Sequence, residues 1–336
     1  MSLRKWLILP IVVVFAALIA WGSFFNLGTY FIAPGQTQNV ARIIQLQGVN
    51  ARTYPGKILM TDVTLGPLTP FEWAIDHLNS KIDYVPSSEI VGSASTKTFT
   101  SSQLSQMESA KLTATVAALR YAGQKVRAVK GAYVVAVVPG TPADGKLQAG
   151  DIIAAVNGNL TPTISKFQKV FSTLKSGQTV SLEVLRQVGG TRNPLVKNIS
   201  VELAKDPQQK SKPLLGIEFD SGSAYFLPTT VSISTGQIGG PSAGLAFALG
   251  ILQKLGVVTV PKGEVVAATG TMSSQGQVGD VGGVRQKTFT VIAGGAKVFL
   301  VPPQEYKVAL AANAGRIRVV EVSSLAQAVQ TLEKLP

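Results

Sequence analysis

An α/β C-terminal domain behind a β-rich middle region and one membrane-spanning helix is the architecture that this sequence predicts. Three observations predict it. Trp6 to Phe25 is a run of 20 residues without a charge. Residues 131–158 are dense in β-branched residues broken by Pro/Gly turns. Beyond residue 213, strand-like runs alternate with helical ones. A chain of 336 residues has room for two or three modest domains.

Composition narrows the chemistry. Hydrophobic residues make up 46% and charged residues 15%, so the chain buries a core. Lys plus Arg number 31 against 18 acidic residues, a net +13 that favours an anionic neighbourhood. No dense basic run interleaves with aromatics, so no nucleic-acid partner is expected. Cysteine is absent and His77 is the single histidine, which removes thiol nucleophiles, disulfides and imidazole-rich metal sites. No metal or cofactor is expected, and catalysis here must proceed without His.

The segment "WLILPIVVVFAALIAWGSFF" spans ~30 Å as a helix at ~1.5 Å per residue, matching a bilayer's hydrocarbon core. A cleaved signal peptide is the rival reading. It would have a shorter apolar core and a small-x-small cleavage site, which "ALIAWGS" does not offer. Arg4 and Lys5 precede the span, which places the N-terminus in the cytoplasm and the body outside. The expected divisions are 1–27 as cytoplasmic N-terminus and anchor, and 28–99 as a small strand-rich module. Within that module one helical piece is expected near 70–80. Residues 100–124 form a helical connector, opened by Thr100 and Gln103 in the T-x-x-Q form of a capping box and ending near Gly123.

"GAYVVAVVPGTPADGKLQAGDIIAAVNG" then gives a β-rich run, a turn and a strand closing at Asn157-Gly158. Through Leu147, Gly150-Asp151, Ile153, Val156 and Asn157-Gly158, the region 125–205 resembles a PDZ domain of the bacterial protease type. That resemblance places capture of a peptide's C-terminal carboxylate on the loop at Lys130, Gly131, Ala132 and Tyr133, with Val134 beside it, the peptide adding as an extra strand. A PDZ fold used only as a spacer is the alternative. "GTPADGKL" has the spacing of a phosphate-binding loop, but Leu147 stands where the Mg²⁺-binding hydroxyl is required. Pro142 and Asp144 suit a β-turn instead, so ATP binding is rejected.

"KDPQQKSKP" reads as a linker into the last domain, 206–336. Within it, "IGGPSAGLAFALG" sets a serine at the mouth of an apolar helix. Gly239 and Gly240 relax the backbone, and Pro241 suits a first helical position. Ser242 then falls where free N–H groups and the helix dipole stabilise a nearby negative charge, as an oxyanion hole requires. A serine nucleophile needs a base. Lysine serves only when neutral, which requires its pKa to fall from ~10.4 towards ~7–8. In a helix starting at Val284, Lys287 shares a face with Val284 and Val291. Taken alone, that pattern reads better as a snorkelling structural lysine.

Together, "GGPSAG" at 239–244, "GEVVAATGTMSSQGQVGDVGGVRQK" at 263–287 and "GGAKVFLVP" resemble the proteolytic domain of the Lon family of serine peptidases. The resemblance covers most of 211–336. It implies Ser242 as nucleophile, Lys287 as general base and Thr269 as the residue orienting the lysine, with Gly239 and Gly240 supporting the oxyanion. Lon proteases carry acids where Gly239, Thr271 and Gln286 stand here, and their ATPase module is missing from this chain. The combination is similar to the membrane-anchored, PDZ-containing Lon-like proteases of bacteria. It implies a single-pass protein of the bacterial cytoplasmic membrane with an extracytoplasmic catalytic domain. The expected fold class is thus an α/β (α+β) Lon-type proteolytic domain, preceded by a β-rich PDZ domain, a small strand-rich module and one transmembrane helix. The expected activity is ATP-independent serine endopeptidase action on flexible or unfolded protein segments. A catalytically inactive membrane adaptor that binds peptide tails is the alternative. Protein or peptide substrates and the membrane are the expected partners, and a homo-oligomeric ring is left open.

Overall fold

The structure is a computed structural model that describes residues 25–48, 54–92, 94–207, 209 and 212–336, together with positions 13, 20, 22 and 23. In chain order its principal elements begin with strands β1 (Thr29–Asn39) and β2 (Lys57–Pro67) and helix α1 (Pro70–Asp76). Strand β3 (Asp83–Pro86) and helix α2 (Thr96–Tyr121) follow. Next come β4 (Arg127–Val137), β5 (Asp151–Val156), α3 (Ile164–Phe171), β6 (Thr179–Arg186), β7 (Leu195–Glu202) and β8 (Ile217–Phe226). The C-terminal part holds α4 (Gly244–Leu255), β9 (Val265–Ala268), α5 (Val284–Ala293), β10 (Val298–Val301), α6 (Tyr306–Asn313), β11 (Arg318–Glu321) and α7 (Leu325–Glu333).

These elements form two compact units. One comprises the described parts of Met1–Ile44 and Asn50–Ala118 with Ser234–Pro336, and the other Gln45–Val49 with Leu119–Ile233. The first unit is built on a mixed six-stranded sheet in the order β11-β10-β9-β2-β1-β3. Strands β2, β9, β10 and β11 run parallel, Ala267 pairing with Leu59 on one side and Phe299 on the other. A parallel strand is buried on both faces and so reads as an unbroken apolar run, as "VVAA" and "VFLV" do. The sheet differs from the expected layout. Strands β1, β2 and β3 do not make a module of their own at 28–99 but complete the sheet of the first unit.

Helix α4 is buried from Gly244 through Gln253, which explains its apolar character all round. Gly250 is required there, because a Cβ at that position would lie 2.5 Å from Val40 Cγ2 and 2.7 Å from Ile44 Cδ1. The helix ends at Gly256 in the left-handed conformation (φ 78°), whose N–H caps the last turn.

In the second unit the strand order is β8-β4-β5-β6-β7, with Asn159–Leu160 paired to β5. Its core gathers Val134, Leu147, Ile153, Val156, Phe167 and Leu182. The expected linker at 205–213 is instead bracketed by a strand pair, Ala204–Lys205 against Pro213–Leu214. Strand β8 then returns to the β4 edge. The compact unit therefore runs to Ile233 rather than ending at 205.

Two local expectations are also corrected. Helix α2 begins at Thr96, so Thr100 lies inside it and donates to Thr96 O at 2.9 Å instead of capping. The capping box belongs to α1, where Thr69 and Glu72 satisfy each other's backbone N–H groups. The transmembrane helix and the single-pass membrane placement built on it are corrected as well. Among the described residues no helix is long and apolar enough to cross a membrane. Trp6 to Phe25 falls mostly outside the described residues. The anchor was expected from the length of an uncharged apolar run.

Candidate active site

The serine arrives on a turn, not on the helix. Helix α4 starts at Gly244 with Ala243 as its N-cap residue, which leaves Pro241 and Ser242 outside it. The turn is pinned by the loop after β9. Ser242 O accepts from Gly270 N at 2.9 Å and from Thr269 Oγ1 at 3.2 Å, and Leu245 N donates to Gly270 O at 3.1 Å. Among the described residues, the N–H groups of Ser242 and Ala243 have no acceptor.

Gly240 is used differently from the expectation. Its N–H donates to Gln103 O at 2.8 Å, so it is not free to hold an oxyanion in this conformation. Its φ of 85° and the approach of Gln103 explain both glycines. A Cβ on Gly239 would lie 2.7 Å from Gln103 Cβ, and one on Gly240 would lie 3.0 Å from Gln103 Oε1.

The lysine arrives on α5, which begins at Val284 after Gly283 in the left-handed conformation (φ 67°). Val284, Gln286, Lys287, Thr288, Thr290 and Val291 are buried, and Lys287 is only 3% exposed. Gln286 does not point to solvent; it and Arg285 grip the Asp83 carboxylate at 2.6 and 2.7 Å. Burial pushes the Lys287 amine down to about 8, while the carboxylates of Asp62 and Glu305 partly oppose the shift. Lys287 Nζ donates to Thr269 Oγ1 at 3.4 Å. Thr269 is fully buried and so touches both arms of the expected pair.

Ser242, Lys287, Gly239 and Gly240 line one cavity of about 800 Å³. Phe99, Gln103 and Leu104 of α2 and Gln36 and Asp62 of the sheet also line it. Among the described residues no hydrogen bond joins Ser242 Oγ to Lys287 Nζ; Thr269 links the amine only to the backbone carbonyl of Ser242. His77 lies elsewhere, stacked on Trp73 at the exposed end of α1.

Sequence reasoning missed Asp62. Its signal was an acid close behind an apolar run, "ILMTD". Asp62 Oδ1 accepts from Gln36 N at 2.7 Å, and burial raises its carboxyl above the usual range against the opposing effects of that bond and of Lys287.

The loop expected in the second unit is corrected. Gly131, Ala132, Tyr133 and Val134 form no loop. They lie within β4, paired to Gly222, Ser221, Asp220 and Phe219 of β8. Ala132 and Tyr133 also face Ile153 and Ile152 of β5. The neighbouring "GTPADG" is a turn in which Gly140 N donates to Asp144 Oδ2 at 2.9 Å, as its composition predicts.

Two stretches of the chain match known domain families. Residues 104–203 match the PDZ domain family, and residues 229–328 match the Lon protease (S16) C-terminal proteolytic domain. Among curated relatives, the Lon protease of Neorickettsia sennetsu is 32% identical over 103 residues, covering 29% of this chain and 12% of its own length. The Lon protease of Malacoplasma penetrans is 39% identical over 66 residues, covering 20% and 8%. The chain thus spans about an eighth or less of the length of these two relatives. Of solved structures, the PDZ domain of an SdrC-like protein from Listeria monocytogenes is 27% identical, covering 26% of this chain and 86% of that one, with a TM-score of 0.23.

Proposed function

We propose that this chain is a serine endopeptidase in which Lys287 is the general base for Ser242. The observation that carries the reading is the pairing of both residues in one cavity with a lysine whose amine burial has brought to about 8. A neutral amine at that pKa accepts the Ser242 proton near physiological pH, and the alkoxide attacks the peptide carbonyl. The N–H groups of Ser242 and Ala243 are the donors for the oxyanion, taking over the part expected of Gly240. The Lys287 ammonium gives its proton to the departing amine as the C–N bond breaks, and the neutral lysine then activates the water that releases the acyl-enzyme. Thr269 holds the amine in register through its hydroxyl.

The substrates are protein or peptide chains, consistent with the PDZ and proteolytic domain matches. The one segment with phosphate-loop spacing, from Gly140, is a turn in the PDZ unit, which supports turnover without ATP. Flexible or already unfolded segments are the substrates that this reading expects.

The test is cleavage of a casein-like substrate by wild type, Ser242→Ala and Lys287→Ala. Loss of cleavage in both variants is expected. Unchanged cleavage in both would end the reading and leave a binding module.

A further inference from the structure

Asp62 comes to the cavity from a part of the chain that carries no other candidate site residue, yet the structure builds a seat for its carboxylate. Strand β1 breaks register between Pro34 and Thr37, a bulge against β2. At that bulge Gln36 N–H points at Asp62 Oδ1. Gly35 leaves the room, since a Cβ there would lie 2.0 Å from Asp62 Oδ1 and 2.8 Å from Asp62 O. Gly35 N is in turn anchored to Thr290 Oγ1 at 3.0 Å, on the helix that carries Lys287. The carboxylate is therefore fixed in the cavity wall that Lys287 and Ser242 share. It lies beyond 4.0 Å from the lysine, since the two form no ion pair within that distance.

We propose that Asp62 is a positioning residue for Lys287, holding a negative charge across the cavity that stabilises the lysine ammonium formed when Ser242 loses its proton. The proposal rests on the Ser/Lys reading above. The Ser242 hydroxyl proton moves to Lys287 Nζ, and Asp62 gives or takes no proton in the step. A fixed carboxylate held apart from the amine suits this role better than a direct salt bridge would. Direct contact would hold the lysine charged in the resting state. At its actual separation, the charge acts when the ammonium develops.

The other charged groups around Lys287 are few. Glu305 faces it from the turn before α6, and Asp280 faces Glu305. Glu89 lines the far part of the cavity. Arg285, on the same helix, is paired with Asp83. Strand β1 contributes no charge, and Lys307 on α6 is exposed.

The experiment is the rate at which a fluorophosphonate labels Ser242, followed from pH 6 to 10 in wild type, Asp62→Asn, Asp62→Glu and Glu305→Gln. Asn keeps an acceptor for Gln36 N–H, so the variant retains the bulge, and a thermal melt checks this. Removing the charge lets the lysine lose its proton more easily. The midpoint of the Asp62→Asn profile is expected to move to lower pH by about one unit, while the plateau rate falls about tenfold. Asp62→Glu is expected to restore the midpoint, and Glu305→Gln to move it less than Asp62→Asn. A midpoint unchanged in Asp62→Asn, with wild type still labelled on Ser242, overturns the proposal and leaves the dyad intact. Absence of labelling in wild type overturns the dyad itself.

Discussion

Lys287 Nζ donates to Thr269 Oγ1 at 3.4 Å, and that hydroxyl donates onward to Ser242 O at 3.2 Å. One buried threonine thus ties the backbone of the serine turn to the amine on α5. Thr269→Val keeps the shape but removes both bonds. It is expected to lower kcat by about 10- to 100-fold, since a lost hydrogen bond to a charged or charging group is worth about 1.5–3 kcal/mol. Thr269→Ser should recover most of the rate, and KM should change little. Steady-state kinetics on a quenched peptide checks all three.

The lysine sets the pH dependence. With its amine at about 8, the neutral form grows as pH rises through 8, so acylation should climb through that value and level off above it. The sign for stability follows from the same shift. Between about 8 and the unfolded value near 10.4, the unfolded chain binds more protons than the folded one, so stability rises with pH across that window. Below it, the buried ammonium costs about 3 kcal/mol. Lys287→Met should therefore abolish activity and raise stability at pH 7 by a few kcal/mol, read by denaturant unfolding.

Asp151 is fully buried in the PDZ unit and meets Arg186 through two bonds of 2.7 Å, while Gln148 N adds a third at 3.0 Å. Removing one partner leaves a buried charge uncompensated. Arg186→Met should destabilise this unit by about 3–5 kcal/mol. Arg186→Lys should rescue only part of that, because an ammonium cannot make the forked contact. Chemical denaturation monitored in the PDZ unit is the measurement.

Gly250 sits in the middle of α4, where intrinsic propensity favours alanine by about 1 kcal/mol. Packing reverses the sign, since the added methyl meets Val40 and Ile44 at 2.5 and 2.7 Å. Gly250→Ala is expected to lower stability by about 1–3 kcal/mol. A melting temperature at or above wild type would contradict the packing.

The parts of the site that are local in sequence were legible from it. Gly240, Ser242 and the start of α5 at Val284 lie in short stretches whose glycines and apolar spacing show where the chain turns and which face is buried. The parts that depend on distant pairing were not. Asp62 reaches the cavity because Lys57–Met60 pairs in parallel with Val265–Ala268, and no local pattern announces a partner two hundred residues away. For the same reason β1, β2 and β3 read as a separate module, and β8 as part of the proteolytic domain rather than a neighbour of β4. The PDZ resemblance placed Gly131 to Val134 in a loop, yet they form a strand with partners on both sides. There the glycine makes room for Ile153 O, 2.3 Å from where a Cβ would stand. The capping box was missed at "TPFE" although Thr69, Pro70 and Glu72 display it openly.

The most direct test of the central claim is the pH profile of covalent labelling at Ser242, located by peptide mass spectrometry, in wild type and Lys287→Met. The account predicts a single modified residue, Ser242, with a labelling rate that rises through about pH 8 and is lost in Lys287→Met. Labelling that proceeds equally well without the lysine, or that falls on another residue, would contradict it.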